Sequence, residues 1–312
     1  MKFQKLGFLV SILAFTILLG CDKSDSSHFT HKMALVMKAS SNPFFARMEK
    51  GARQAADSFR VQLLIGTITR ETDINQQVSI IENMIVQGVA AILIAPADSK
   101  AIVNVLKKAQ AAGIRIINID NRIDAATAEA VGLTIDCYVG VDNATGGKMA
   151  GDYLATLMEK KGKAAMLEGI RGVDNAEARK RGFLQAIEST KIEVVASQSA
   201  NWAQDQGLDV FANILQANPD ITGLFCANDM MALGAIQAIE QAGKTGKIYV
   251  ASYDNLEAAQ EAISQGRLHA TIEQHPERMG FEGVAVANAL LNGEQIDSEM
   301  MIELDLITKE NL

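Results

Sequence analysis

Polar and aromatic residues recur at one kind of position in this chain, in the segments that follow short apolar runs rich in β-branched residues. They are Lys38, Asn42, Phe44, Phe45, Asp120, Asn121, Arg179, Trp202, Asn228, Asp254 and Gln274. Carboxylates, planar amides and a guanidinium group bond adjacent hydroxyl groups in pairs, and aromatic rings pack on flat C–H faces. This combination is the chemistry that a monosaccharide requires.

Each of these residues also has an interpretation that involves no ligand. Asn42 precedes Pro43, which is a common helix start, and Asp120 and Asp254 fall where strand-to-helix loops favour a capping Asp. Trp202, the only tryptophan, is a candidate core residue.

The two cations have similar alternatives. Lys38 is compatible with a solvated strand end, and Arg179 with a surface pair to Glu177 or Glu168. The binding interpretation is favoured because so many polar and aromatic residues share one position relative to the strands.

Alternating strands and helices must position these residues. Apolar runs separated by segments of helical period are typical of parallel sheets covered by helices. Strands are predicted at 33–38, 61–66, 90–95 and 114–119, and a second series at 138–141, 164–168, 192–198, 223–227, 248–253 and 269–273. The predicted fold class is α/β, with a doubly wound parallel-sheet pattern repeated in two similar lobes. Ligands of such sheets bind beyond the carboxyl ends of the strands, so the cleft between the lobes is the predicted site.

The amino terminus has the pattern of a bacterial lipoprotein precursor. Two lysines precede an apolar run at 6–19, which is short for a membrane span, and Leu18-Leu19-Gly20-Cys21 follows it. We therefore expect residues 1–20 to be a signal peptide and Cys21 to be lipidated. An uncleaved amino-terminal helix is the alternative.

Residues 21–32 are polar and serine-rich, which predicts a flexible tether. Asp22 resembles the inner-membrane retention signal of enteric-type bacteria. The expected location is the periplasmic face of the inner membrane, or the outer face of the cell membrane in a Gram-positive host. The lipid would be the only contact with the membrane.

Composition excludes several classes. A formal charge of −8 and a pI near 5.1 disfavour nucleic acid as a partner. The three cysteines lack the spacing and neighbouring histidines of a metal cluster, and no cofactor or metal is expected. Cys137 and Cys226 both fall in the second series, where a disulfide and two separate buried thiols are both open.

The sequence resembles the periplasmic ribose-binding and allose-binding proteins, the pentose/hexose group of substrate-binding proteins for ABC transporters. The resemblance runs from about Met33 to the carboxyl terminus. Its motifs are Ser41-Asn42-Pro43-Phe44-Phe45, Ala178-Arg179 with Gly182-Phe183, Ala227-Asn228-Asp229 with the segment 231–235, and Thr271-Ile272-Glu273-Gln274 with Pro276.

The resemblance implies a type I periplasmic binding protein fold, in which a hinge with three crossovers joins the lobes. The expected crossovers lie near Gly140 to Asp142, Gln274 to His275 and Glu303 to Leu304. The amino-terminal lobe would comprise 33–140 plus 275–303, and the carboxy-terminal lobe 141–274 plus 304–312. The protein would be a monomer that closes around a sugar and presents it to an ABC transporter permease.

The family's sugar contacts fall on Asn42, Phe44, Phe45, Asp120, Arg179, Trp202, Asn228, Asp254 and Gln274. Two departures bear on the ligand. Lys38 stands where ribose binders typically have a small hydroxyl residue and looks like the allose-type arrangement, and Asn121 stands where they have Arg. The resemblance therefore favours a hexose, a ketohexose or a polyol over ribose. Asp120 and Asp254 are expected to remain ionised near Arg179.

Three other functions are compatible with parts of the sequence. Asp120 and Asp254 are compatible with the two carboxylates of a glycosidase, but the chain has neither a G-x-S-x-G nor an H-E-x-x-H motif, and no enzyme is expected. A DNA-binding repressor would carry a helix-turn-helix where the signal peptide stands. A sugar-sensing lipoprotein that serves a chemoreceptor or a sensor kinase stays open.

Overall fold

A computed structural model of the chain describes residues 29–312. The predicted signal peptide, Cys21 and most of the predicted tether lie outside the described residues. The described residues form two six-stranded sheets, each flanked by helices.

The first sheet is parallel throughout and has the order β11-β5-β4-β3-β1-β2. Its strands are β1 (Lys32–Ala39), β2 (Gln62–Ile68), β3 (Ala91–Ile94), β4 (Arg115–Ile119), β5 (Cys137–Gly140) and β11 (Glu299–Met301). The central strand β3 is an unbroken apolar run that is buried along its whole length, because helices cover both faces of the sheet.

The second sheet has the order β12-β10-β9-β8-β6-β7, with β12 antiparallel to β10. Its strands are β6 (Lys161–Glu168), β7 (Lys191–Ser199), β8 (Gly223–Cys226), β9 (Tyr249–Ala251), β10 (Ala270–Glu273) and β12 (Asp305–Thr308). Taken in chain order, the strands of the two sheets occupy the same places. The prediction of two similar doubly wound α/β lobes is confirmed.

Ten helices occur within residues 29–312. They are α1 (Pro43–Phe59), α2 (Ile74–Val86), α3 (Val103–Ala111), α4 (Ala125–Ala130), α5 (Asn143–Leu157), α6 (Asp174–Ile187), α7 (Gln204–Ala217), α8 (Asp229–Gln241), α9 (Glu257–Ser264) and α10 (Pro276–Leu291). Helix α10 packs against α1 and the first sheet, and α5 packs against α6 and the second sheet. No helix in this part of the chain is long and apolar enough to cross a membrane.

The chain passes from one lobe to the other three times in the described region. The crossings follow β5, lie between β10 and α10, and lie between β11 and β12. These are the positions at which the three-crossover hinge was expected, and that part of the fold prediction is confirmed.

Two details of the strand prediction were wrong. Strand β5 does not begin the second series, because it pairs with β4 and β11 in the first sheet. Cys137 and Cys226 therefore lie in different sheets, where both are buried and free. Burial raises the pKa of the Cys137 thiol to about 11 and that of Cys226 well above its usual value.

The second wrong detail is that strands β11 and β12 were not predicted. They are short and partly exposed, so they carry no apolar run.

Candidate functional site

A small cavity lies between the lobes, beyond the carboxyl ends of the strands. The lining consists of Lys38, Asn42, Phe44, Phe45, Glu71, Asp120, Asn175, Arg179, Trp202, Asn228, Asp254 and Gln274. Every predicted contact residue except Asn121 is among them.

On the first lobe, the start of α1 contributes an amide and two rings. The Oδ1 atom of Asn42 accepts a hydrogen bond from the backbone N–H of Phe44 at 3.1 Å, and its Nδ2 atom donates to Glu71 at 3.2 Å. Asn42 is thus both the helix cap and a cavity residue. Phe44 and Phe45 meet edge to face, with ring centroids 5.2 Å apart.

A cluster of one cation and two carboxylates forms the same wall. The Nζ atom of Lys38 lies 3.5 Å from Asp120 Oδ2 and 3.9 Å from Glu71 Oε2. Lys38 is only 2% exposed, which rules out the solvated alternative in this structure. Burial raises the pKa of Glu71, and Lys38 and the Asn42 amide partly offset that shift.

Arg179 holds the opposite wall together. Its guanidinium donates to Asn143 Oδ1 at 2.8 Å, to the Ala227 carbonyl at 2.8 Å and to Gln274 Oε1 at 3.1 Å, as the geometry of its planar fork allows. Its charge partner is Asp254, with 3.5 Å between Nη1 and Oδ1. The alternative interpretation of Arg179, a surface pair with Glu177 or Glu168, does not appear among the ion pairs of the described residues.

Close packing of α5 on α6 positions Arg179. A Cβ atom at Gly147 would lie 2.2 Å from the carbonyl oxygen of Arg179, and one at Gly182 would lie 2.0 Å from that of Ala144. The two helix backbones touch only because both positions are glycine. This approach brings Asn143 of α5 within hydrogen-bonding distance of Arg179.

Asp254 is almost completely buried. Burial raises its pKa well above the usual value, and the nearby Arg179 opposes this shift. Gln274 donates to its Oδ1 atom at 2.6 Å. Burial has the larger effect, so this pKa shift does not support the expectation that Asp254 stays ionised near Arg179.

Trp202 closes the cavity on the second lobe. Its ring lies against Gly169, where a Cβ atom would come within 2.1 Å of it. Asn228 holds the Trp202 backbone in place, because its Nδ2 atom donates to the Trp202 carbonyl at 3.3 Å, and its Oδ1 atom caps α8 by accepting from the N–H of Met231. Trp202 is therefore both buried and a wall of the cavity.

Two buried polar atoms of the lining, Asn175 Oδ1 and Trp202 Nε1, have no hydrogen-bond partner among the described residues. An unsatisfied buried group of this kind costs about 1–3 kcal/mol. Three lining residues other than glycine have a positive φ, which is 63° at Asp120, 64° at Trp202 and 116° at Asp254. Unpaired polar atoms and positive-φ residues therefore occur together in the lining, where a ligand would supply the missing hydrogen bonds.

Asn121 does not line the cavity. Its Nδ2 atom donates to the Pro96 carbonyl at 3.2 Å and to Ser99 Oγ at 3.3 Å, and its Oδ1 atom accepts from the backbone N–H of Asn175 at 3.1 Å. Its hydrogen-bonding groups are occupied by protein.

Sequence reasoning missed two lining residues, Glu71 and Asn175. Asn175 stands four positions before Arg179 on α6, and residues with that spacing lie on the same face of a helix, so the signal was present. Glu71 lies in a polar loop after β2, where nothing in the sequence distinguishes it from its neighbours.

Among residues 29–312, no group of His, Cys, Asp and Glu is arranged to hold a metal ion.

Comparison with known families agrees with this architecture. A model described as the periplasmic binding protein domain matches residues 33–295. The chain belongs to the periplasmic binding protein family.

Two curated members of this family illustrate the similarity. The D-ribose/D-allose-binding protein of Pseudomonas aeruginosa is 39% identical over 270 residues, which cover 86% of this chain and 84% of that protein. The D-allose-binding periplasmic protein of Escherichia coli is 33% identical over 93% of this chain and 94% of its own length.

A solved periplasmic binding protein is similar in both sequence and structure. The ABC transporter periplasmic solute binding protein from Actinobacillus succinogenes, determined with bound D-allose, has 43% identity and a TM-score of 0.84. The match covers 90% of this chain and 98% of that chain.

Proposed function

We propose that this protein binds one neutral monosaccharide in the interlobe cavity and delivers it to an ABC transporter. The observation that carries the proposal is the pair of unsatisfied atoms, Asn175 Oδ1 and Trp202 Nε1, in a cavity otherwise built from carboxylates, amides, a guanidinium and aromatic rings. A hydroxyl group both donates and accepts, so a sugar can satisfy an amide oxygen and an indole N–H at once.

The charges of the cavity favour a neutral ligand. The cations Lys38 and Arg179 are paired with Asp120 and Asp254, and Glu71 adds a further acidic group. A sugar phosphate or uronic acid would meet no free cation among the lining residues and would face carboxyl groups instead. Neutral hexoses and polyols meet acceptors, donors and apolar rings without that penalty.

D-allose is the first ligand to test. A relative with 39% identity is named a D-ribose/D-allose-binding protein, and the solved structure with 43% identity holds D-allose. Lys38, buried against Asp120, fills space where a small hydroxyl residue is expected in ribose binders. Hexoses and related polyols are therefore placed ahead of ribose.

Closure of the two lobes is the proposed mechanism. The lining side chains come from both lobes, so a sugar that contacts both walls favours the closed arrangement over an open one. The assigned role is binding without chemical change. Purified protein incubated with D-allose should return the sugar unaltered, and an isomerised or hydrolysed product would establish an enzyme instead.

The proposed lobes comprise 33–140 plus 275–303 and 141–274 plus 304–312, and the proposed oligomeric state is a monomer.

For the amino terminus we propose a lipoprotein, with residues 1–20 as signal peptide, Cys21 as the lipidated residue and residues 21–32 as tether. Cys21→Ser should abolish incorporation of labelled fatty acid and move the protein from the membrane fraction to the soluble fraction. Unchanged membrane association would argue against the anchor.

Thermal unfolding in the presence of single sugars tests the binding proposal. A ligand at 100 times its Kd stabilises the native state by about 2.7 kcal/mol, which corresponds to a rise of several degrees in Tm. We expect this rise with D-allose or another neutral hexose, and none with glucuronate or glucose 6-phosphate as matched anionic controls. If no neutral sugar or polyol raises Tm, the proposal is wrong.

A further inference from the structure

Helix α6 of the second lobe is capped by residues of the first lobe. Its own N-cap residue, Val173, provides no side-chain hydrogen bond. Instead, Ser99 Oγ accepts from the backbone N–H of Asp174 at 3.1 Å, and Asn121 Oδ1 accepts from that of Asn175 at 3.1 Å. The first N–H groups of a helix have no partner within the helix, so these contacts replace the missing cap.

The capping residues are held rigidly within the first lobe. Ser99 follows β3 and Asn121 follows β4, and the Nδ2 atom of Asn121 donates to Ser99 Oγ at 3.3 Å. Asn118 of β4 donates to the Asn121 carbonyl at 2.7 Å and accepts from the N–H of Ile123 at 2.9 Å. The loop is therefore preorganised to present two acceptors across the cleft.

Helix α6 also carries two residues of the cavity. The N–H of Asn175 is bonded to Asn121, while its unsatisfied Oδ1 atom faces the cavity, and Arg179 lies one turn further along. The contact that joins the lobes and the contact proposed for the sugar thus involve the same residue.

We infer that Ser99 and Asn121 form a latch that caps α6 only when the lobes meet, and so position Asn175 and Arg179 on the bound sugar. This inference rests on the proposed function for its ligand and assigns both residues a positioning role. When the lobes separate, the two N–H groups lose their partners and become exposed to water. The latch therefore slows opening of the closed protein and release of the sugar.

Stopped-flow measurements with D-allose test the latch, because Trp202 is the only tryptophan and lies in the cavity. A lost helix cap corresponds to roughly a fivefold change in an equilibrium constant. We expect Ser99→Ala and Asn121→Ala each to raise the dissociation rate of the sugar about fivefold, with the association rate within about twofold of wild type.

Two matched variants separate the latch from general stability. Ser99→Thr keeps the hydroxyl acceptor for the N–H of Asp174 and should leave dissociation as slow as in wild type. Asp124→Ala removes a cap of the same kind inside the first lobe, since Asp124 Oδ1 accepts from the N–H of Thr127 at 2.9 Å. It should lower Tm without changing the dissociation rate.

Wild-type dissociation rates in folded Ser99→Ala and Asn121→Ala proteins would overturn the inference, as would equal acceleration by Asp124→Ala. Acrylamide quenching of Trp202 in the ligand-free protein gives a readout that needs no sugar. Quenching should be stronger in Asn121→Ala than in wild type. If no sugar binds the wild-type protein, the proposed function fails, and equal quenching in the two proteins then refutes the latch separately.

Discussion

Arg179 and Asp254 form a buried ion pair in the cavity, with 3.5 Å between Nη1 and Oδ1. The guanidinium also lies over the ring of Tyr253, 3.7 Å from its centroid. Charge, hydrogen bonds and stacking therefore converge on one side chain. Breaking a buried pair by removing one partner is costly, because the other charge loses its compensation.

Arg179→Met should abolish the rise in Tm that D-allose causes and lower the free energy of unfolding by about 3–5 kcal/mol. Arg179→Lys is the matched control. It keeps the positive charge beside Asp254, but an ammonium group cannot reproduce the planar fork that reaches Asn143, Ala227 and Gln274. We expect Arg179→Lys to weaken sugar binding about 100-fold in calorimetric titration while costing less stability than the methionine variant. Equal binding by Arg179→Lys and wild type would show that only charge matters here.

Much of the fold followed from sequence because the strands are buried runs of apolar residues, as in β3. The position of the site followed from the rule that parallel sheets bind ligands beyond the carboxyl ends of their strands. That rule predicted that Asn42 and Asp254 belong to the same site. That rule does not say which of two neighbouring residues faces the cleft. Asp120 has a φ of 63°, and this turn directs its side chain into the cavity while Asn121 contacts the other lobe.

The lining residue Glu71 shows the limit of sequence reasoning in another way. It belongs to a loop whose path depends on contacts across the lobe, here the hydrogen bond from Asn42 and the ion pair with Lys38. Strands β11 and β12 likewise exist because neighbouring strands offer free edges. Such tertiary contacts leave no periodic signal in a single sequence.

Replacement of Trp202 should separate its apolar face from its N–H group. Trp202→Phe keeps a ring against the sugar but loses the Nε1 donor, which has no partner in the described region. We expect the ligand-free Tm to stay near that of wild type and the Kd for D-allose to rise about tenfold, as a lost hydrogen bond in a buried site predicts. Trp202→Ala should lose measurable binding and lower stability by about 3 kcal/mol or more, because it leaves a cavity beside Gly169. Wild-type affinity in Trp202→Phe would show that the indole N–H does not contact the ligand.

The charges around Lys38 should be energetically coupled. Lys38→Met leaves Asp120 and Glu71 without their cation, and we expect a loss of about 3 kcal/mol in the free energy of unfolding. Adding Glu71→Gln should recover part of that loss, since the amide still accepts from Asn42 and removes one of the two acidic groups. Denaturant unfolding of the two single variants and the double variant at pH 7 measures the coupling. Strictly additive effects would contradict the buried cluster.

The pH dependence of stability should carry the signature of Asp229. This carboxyl group is fully buried at the first residue of α8, where it accepts hydrogen bonds from Ser252, Thr271 and the N–H of Leu256. Burial raises its pKa from 3.8 to about 6. Between those pH values the folded protein binds more protons than the unfolded chain, so the contribution of Asp229 to stability is greatest at low pH and declines as the pH rises.

Comparison with Asp229→Asn isolates this contribution from that of carboxylates with lowered pKa values, such as Glu168. The free energy of unfolding of wild type minus that of the variant should fall by on the order of 2 kcal/mol between pH 4 and pH 7. Denaturant unfolding at several pH values in that range provides the measurement. A difference that stays constant, or grows with pH, would mean that Asp229 is ionised in the folded protein throughout. Its hydrogen bonds from Ser252, Thr271 and Leu256 would then outweigh the cost of burial.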